Sequence, residues 1–150
     1  MKKALMVFGV VFLVLITVGA IFLGYSIWNG ARLDNSSRAY VDDVVPKILS
    51  AMSKDEIMKY ASPEFQLFVS GNQLELTFHK LKGLGELIKC EKPTGQSLMK
   101  VTNKGEEITA DYKVTAKFKN GNADVYIKLG QSNEHWQILA IRFESPIFLK

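Results

Sequence analysis

A strict alternation of apolar and polar residues in the second half of the chain most limits the folds that this sequence can adopt. The apolar members of the first run are Ile108, Ala110, Tyr112, Val114, Ala116 and Phe118. After Asn120-Gly121 the alternation continues at Ala123, Val125, Ile127 and Leu129. A period of two is typical of a strand with one buried face, and Asn-Gly favours the two-residue turn of a β-hairpin. The sequence therefore predicts a long antiparallel hairpin here.

A turn at Asn120-Gly121 also predicts how the two strands pair. It places Lys117 opposite Asp124 on the polar face. On the apolar face, the expected pairs are Phe118/Ala123, Ala116/Val125, Val114/Ile127 and Tyr112/Leu129. Each pair joins two apolar side chains, as cross-strand stabilisation requires.

The residues before the hairpin have the period of helices. A first apolar stripe consists of Val41, Val44, Val45, Ile48, Leu49 and Met52, with a bend expected at Pro46. Ser53 and Glu56 have the spacing of a capping box, which predicts a short second helix. Ser62 followed by Pro63 predicts the start of a third helix, and residues 73–82 predict a fourth.

Weaker strand patterns lie at 87–91 and 97–102, and a last strand is predicted at 135–143, with apolar residues on both faces. Helices followed by antiparallel strands indicate an α+β domain, with the helices on one face of a curled sheet. His135 then falls at the start of the last strand, after the turn residues of "GQSNEH". We interpret it as a turn residue, and the alternative is a functional histidine.

The first residues have a different character. Ala4 to Trp28 contains no charged residue, and 25 residues make a helix of roughly 37 Å, enough to cross a bilayer. We therefore expect a transmembrane anchor at 1–29, a polar tether at 30–37 and an extracytoplasmic domain at 38–150. Lys2 and Lys3 predict a cytoplasmic N-terminus and a single-pass protein of the bacterial inner membrane. The alternative is a signal peptide cleaved after Ala20.

Charge and cysteine content exclude several classes of function. The formal charge of +4 falls to +2 without Lys2 and Lys3, which is too little for a nucleic-acid-binding domain. Cys90 is the only cysteine, so the chain has no intramolecular disulfide. Lys89 and Lys92 beside it predict either a lowered thiol pKa or, as we prefer, an ordinary structural thiol.

The part from Asp34 to Leu149 resembles the nuclear-transport-factor-2-like (NTF2-like) superfamily, a cone of helices over a long bent sheet. The resemblance rests on the order of elements, on "FKNGNADVYI" and on "HWQILAIRF". "AYVDDVVPKI" and "YASPEF" are further similar to segments of bacterial proteins with one N-terminal anchor. The resemblance implies a cone-shaped domain, but this fold carries enzymes, binding modules and assembly proteins alike.

An enzyme with this fold needs an acid or base that projects into the cone. Tyr112 is the only polar residue on the apolar face of the hairpin, and Asp111 and Asp124 have the opposite parity. Glu75 and His79 lie four residues apart on one helix, but two ligands without a third are a weak metal site. We therefore expect no catalytic residue, no metal and no cofactor.

We interpret the protein as a non-enzymatic, membrane-anchored domain that binds an envelope protein or forms a homodimer. Its expected partners also include the lipid bilayer, through residues 4–28, and exclude nucleic acid. The interface candidates lie on the last strand and are Trp136, Ile138, Leu139, Ile141 and Phe143. The alternative is a carrier or enzyme for a small hydrophobic molecule, with a cavity lined by Tyr112, Val114, Phe118 and Ile127.

Overall fold

The computed structural model describes residues 2–69, 71–103 and 105–149, with side chains described at 15–21, 30–69, 71–103 and 105–148. The chain divides into two compact units, Met1–Leu33 and Asp34–Lys150. The first helix is α1 (Lys2–Ala51). Residues 30–37, which were expected to form a polar tether, lie inside this helix.

The prediction of a transmembrane anchor at 4–28 is contradicted. Over the part of the chain that the structure describes, no helix has the length and apolar character that crossing a bilayer demands. The predicted single-pass localisation and the membrane-anchored fold are therefore wrong as well. Much of the segment lies outside the described side chains, which within the first unit are those of 15–21 and 30–33. At 15–21, the large apolar side chains are exposed.

Three short helices follow α1 in the second unit, namely α2 (Lys54–Met58), α3 (Pro63–Phe68) and α4 (Gly71–Lys82). Two predicted helix caps are confirmed. The Ser53 hydroxyl accepts a hydrogen bond from the amide of Glu56, and the Ser62 hydroxyl accepts one from the amide of Phe65. Each serine thus satisfies an amide that the helix itself leaves without a partner.

The strands are β1 (Leu87–Cys90), β2 (Thr94–Thr102), β3 (Gly105–Phe118), β4 (Gly121–Ser132) and β5 (His135–Glu144). Within the described residues, they form one five-stranded antiparallel sheet in the order β1-β3-β4-β5, and β2 pairs with the other half of β3. A 3₁₀-helix at Pro146–Leu149 ends the described chain. The domain is therefore α+β.

The β3–β4 hairpin is present, but the predicted register is wrong by two residues. Phe118 pairs with Gly121 instead of Ala123, and Thr115, not Lys117, pairs with Asp124. The turn consists of Lys119 and Asn120 because the segment before β1 binds their amides. The Lys119 amide donates to the Glu86 carbonyl (3.0 Å), and the Asn120 amide donates to the Leu84 carbonyl (2.9 Å).

A shift of two residues preserves which side chains face the core, because the side-chain period of a strand is also two. The alternating residues of β3 and β4 are buried as predicted, from Ala110 to Phe118 and from Ala123 to Leu129. The apolar stripe of α1 is buried as well, and it continues through Pro46. Contacts of Asp34 and Ser37 with Tyr112 place the part of α1 in the second unit over the same face of the sheet.

Candidate functional site

The four cavity candidates from the sequence lie in the packed core. Tyr112, Val114, Phe118 and Ile127 are at most 4 % exposed. The Tyr112 hydroxyl lies 2.8 Å from the Ser37 hydroxyl and donates to the carbonyl of Asp34 at 3.3 Å. Its polar group is thus bonded within the protein, as a buried hydroxyl requires. These four side chains therefore belong to the packed core of the domain.

The interface candidates on β5 divide into two groups. Trp136, Ile138 and Phe143 are buried, and Leu139 and Ile141 are partly exposed. The sequence placed Ile138 and Phe143 on opposite faces, but the structure places both in the core. The reason is a β-bulge, because Ile138 pairs with Leu129 and Ala140 with Lys128, so that Leu139 is an extra residue.

The open edge of β5 is partly covered by the link between α2 and α3. The amide of Ile138 donates to the carbonyl of Tyr60 at 2.7 Å, and the carbonyl of Ile138 accepts from the amide of Ser62 at 2.9 Å. Ala61 forms an isolated parallel bridge with Ile138. On the outer face, the side chain of Leu139 packs on Gly130. A Cβ atom added to Gly130 would lie only 2.8 Å from the Cδ1 atom of Leu139. The edge of β5 at Ile138 is therefore occupied by the chain itself.

A groove of about 490 Å³ lies between α3, α4, the end of β5 and the C-terminal 3₁₀-helix. We call it the α4–β5 groove. Its apolar lining consists of Phe65, Val69, Leu74, Leu76, Ile141, Phe143 and Phe148, and its polar lining of Gln73, Thr77, Lys80 and Arg142. The groove includes two of the interface candidates, Ile141 and Phe143.

Large apolar side chains are exposed on the two helices that border this groove. On α3, Phe68 is 87 % exposed and Leu67 is 83 % exposed, and on α4, Leu76, which lines the groove, is 66 % exposed. Large apolar side chains left in solvent mark a contact site on many proteins. Sequence reasoning missed it, although "PEFQLF" carries three apolar residues in a helix too short to bury them all.

The two cations of the α4–β5 groove differ in their surroundings. Arg142 forms an ion pair with Glu144 at 3.1 Å, and its guanidinium group lies 4.7 Å from the centre of the Tyr126 ring. Lys80 lies 5.9 Å from the centre of the Phe148 ring. Among the described residues, no carboxylate forms an ion pair with Lys80. This lysine is available to a negative group of a ligand.

Two lysines on the outer side of the sheet form ion pairs with carboxylates. Lys113 forms an ion pair with Asp124 at 2.8 Å, and Lys117 forms one with Glu91 at 3.0 Å. Hydrogen bonds from Lys113 and Thr115 lower the pKa of Asp124. Partly exposed ion pairs of this kind are typical of a solvated surface.

The remaining candidates for chemistry lie apart from one another. Glu75 and His79 are exposed on α4, and His135 is exposed at the first position of β5. In the described part of the chain, no group of three metal-binding side chains comes together. Burial raises the pKa of the Cys90 thiol, and the nearby charge of Asp42 adds to the effect. The lowered pKa considered from Lys89 and Lys92 is therefore wrong.

Comparison of this chain with models of known protein families, with curated proteins and with solved structures gives no match. The resemblance to the NTF2-like superfamily remains an expectation from the sequence.

Proposed function

We propose that the second unit is a non-enzymatic protein-binding domain whose partner docks in the α4–β5 groove and on the adjoining side chains of Leu67 and Phe68. The observation that carries the proposal is the exposure of Phe68, 87 % of whose surface is in contact with solvent. Transfer of one phenylalanine side chain from water into an interface stabilises a complex by about 1.5–3 kcal/mol. Exposed anchors of this kind commonly dominate the energy of protein complexes.

The lining of the groove indicates which side chains of a partner it would bind. Its floor is formed by Phe65, Leu74 and Phe143, which accept apolar side chains. Lys80 at its side favours a carboxylate, since it forms no ion pair among the described residues. We therefore expect an amphipathic segment of another protein, with apolar anchors that alternate with an acidic residue.

The alternative function, a carrier or enzyme for a small hydrophobic molecule, has less support. It requires an open cavity lined by Tyr112, Val114, Phe118 and Ile127, and these four side chains are buried against their neighbours. The Tyr112 hydroxyl, the only polar group among them, is bonded to Ser37 and Asp34. A ligand in this place would have to break those bonds and displace core side chains.

A photo-crosslinking experiment in the native cell tests the proposal. A photoreactive phenylalanine analogue replaces Leu67 on α3 or Leu76 in the groove, and in a control it replaces Ile88, which is 67 % exposed on β1, outside the groove. We expect Leu67 and Leu76 to crosslink to the same protein and the control position not to do so. Equal crosslinking from Ile88, or none from Leu67 and Leu76, contradicts the proposal.

Affinity measurements on the crosslinked protein then test the residues. We expect Phe68→Ser to weaken binding by roughly ten- to a hundredfold, the equivalent of burying one phenylalanine. Lys80→Glu should also weaken binding, because it replaces the lysine proposed to bind an acidic residue of the partner. The matched control is Ile88→Ser, because Ile88 is 67 % exposed on β1, outside the groove. A partner that binds Phe68→Ser as tightly as the Ile88→Ser control disproves the assignment.

A further inference from the structure

The outer edge of β2 is half covered by α1. The amide of Ser97 donates to a carboxylate oxygen of Asp34 at 2.6 Å, so this amide points away from β3. The Ser97 hydroxyl donates to the same oxygen. Two residues earlier, the carbonyl of Gly95 accepts a hydrogen bond from Arg38 at 3.5 Å. The helix thereby satisfies the edge groups at the start of β2.

The second half of this edge is open. Alternate residues of a strand direct their amide and carbonyl groups to the same side. The backbone groups of Met99 and Val101 therefore point away from β3, as those of Ser97 do. In the described part of the chain, β2 pairs with β3 alone, and no side chain bonds the edge groups of Met99 or Val101. An unpaired row of backbone groups is a template for another strand.

The side chains around this open edge are apolar and exposed. Val101 is 82 % exposed, Leu98 is 49 % exposed and Met99 is 40 % exposed. Met99 and Val101 project from one face of the strand and Leu98 from the other. In the described residues, β2 contains no proline, and its one charged side chain, Lys100, pairs across the ladder with Glu107. Apart from Lys100, the described residues at this end of β2 carry no charged side chain, no proline and no bulge that would protect the edge.

We propose that two copies of this chain associate by antiparallel pairing of β2 with β2, across a two-fold axis at Val101. This interaction is distinct from the α4–β5 groove and does not depend on the function proposed there. Because a two-fold axis repeats each contact, one strand edge serves both copies. The pairing joins the two sheets into one continuous sheet.

The choice of Val101 follows from the two registers that the structure disfavours. An axis at Met99 would place Val101 opposite Ser97 of the second copy, whose amide is already bound by Asp34. An axis at Lys100 would set two lysines directly opposite each other, where like charges destabilise a sheet. An axis at Val101 avoids both conflicts, since Lys100 then lies opposite Thr102.

The first test uses the oligomeric state of the full-length chain, measured by sedimentation velocity over a roughly hundredfold range of concentration. We expect the unmodified chain to form dimers and Val101→Pro to stay monomeric. Proline removes the outward amide of Val101 and leaves the ladder with β3 intact, because edge positions tolerate proline. The matched control Val101→Thr keeps the amide and should still dimerise.

Disulfide crosslinking tests the register without relying on the fold of the proline variant. In a Cys90→Ser background, Val101→Cys places two cysteines opposite each other with a Cα distance of about 5.5 Å, which suits a disulfide. We expect mild oxidation to give covalent dimers of Val101→Cys. Lys100→Cys, whose side chain faces Thr102 of the second copy, should give far fewer.

Several outcomes would overturn the proposal. One is a monomeric chain at every concentration, and another is equal crosslinking, or no crosslinking, of the two cysteine variants. A third is dimerisation that survives Val101→Pro, which would place the contact elsewhere. Loss of the dimer in Phe68→Ser would likewise overturn it, because that substitution changes the exposed surface of α3 and leaves β2 untouched.

Discussion

The hydroxyl oxygens of Ser37 and Tyr112 lie 2.8 Å apart in the core and join α1 to β3 across 75 positions of sequence. Both side chains are almost fully buried, and both hydroxyls also lie 3.3 Å from the carbonyl oxygen of Asp34. A tyrosine on the apolar face of a sheet, where an enzyme would place an acid, is here a connection between two elements of the fold.

This pair predicts a measurable coupling. We expect Tyr112→Phe and Ser37→Ala each to lower the free energy of unfolding by at least about 1 kcal/mol, because each removes a buried hydroxyl together with its hydrogen bonds. The double variant should lose less than the sum of the two. Urea denaturation of the four proteins measures the coupling. Strictly additive losses would show that the two hydroxyls do not interact.

The Asp34 carboxylate predicts a dependence of stability on pH. Hydrogen bonds from the Ser97 hydroxyl, and then from its amide, lower the pKa of Asp34 below its ordinary value of 3.8. A lowered folded-state pKa stabilises the fold fully above the unfolded-state pKa, and this stabilisation disappears as the pH falls through the folded-state value.

The difference in unfolding free energy between the unmodified protein and Asp34→Asn isolates this effect, because the other carboxylates cancel. We expect the difference to be largest near neutral pH and to shrink as the pH falls below about 4. Chemical denaturation at a series of pH values measures it. A difference that stays constant down to pH 2 would argue against the bonds from Ser97.

The Cys90 thiol is expected to react slowly. Burial raises its pKa, so a smaller fraction is the reactive thiolate at a given pH. We expect alkylation by iodoacetamide at pH 8 to be several-fold slower in the folded protein than in the same protein unfolded in urea. Mass spectrometry follows the reaction. Equal rates in the two states would mean that the thiol lies open to solvent.

The turn between β4 and β5 holds a strained residue. Asn133 and Glu134 both have positive φ angles, 49° and 63°, as a type I′ turn requires. Asparagine tolerates this region and glutamate does not, so Glu134→Gly should raise the free energy of unfolding by about 0.5–1 kcal/mol. Thermal denaturation measures the gain.

Glu134→Ala is the control for the turn, because alanine has the same steric conflict as glutamate and should bring no comparable gain. If glycine and alanine change the stability equally, the effect comes from the lost carboxylate and not from the backbone angle.

Elements defined by neighbouring residues could be predicted from the sequence. The caps at Ser53 and Ser62 depend on an amide three residues away, and both are present. The core faces of β3 and β4 follow from alternation, which survives the two-residue error in register. The helix at residues 30–37 could not be predicted, because the polar residues of this segment are also typical of a loop.

The candidate site depends on contacts between distant parts of the chain. The exposure of Phe68 follows from the packing of α3, which buries Phe65 instead, and the two faces of β5 follow from a bulge at Leu139. Neither has a local signal strong enough to predict it.

By itself, the sequence determined the starts of α2 and α3 and the buried faces of the central strands, because period and capping act over a few residues. Only the tertiary structure decided the hairpin register, because the carbonyls of Leu84 and Glu86 bind the amides of the turn. It also decided which half of the β2 edge stays open, because Asp34 covers the other half. Those features arise where segments far apart in sequence satisfy each other's backbone groups, and a local pattern carries no record of which segments will meet.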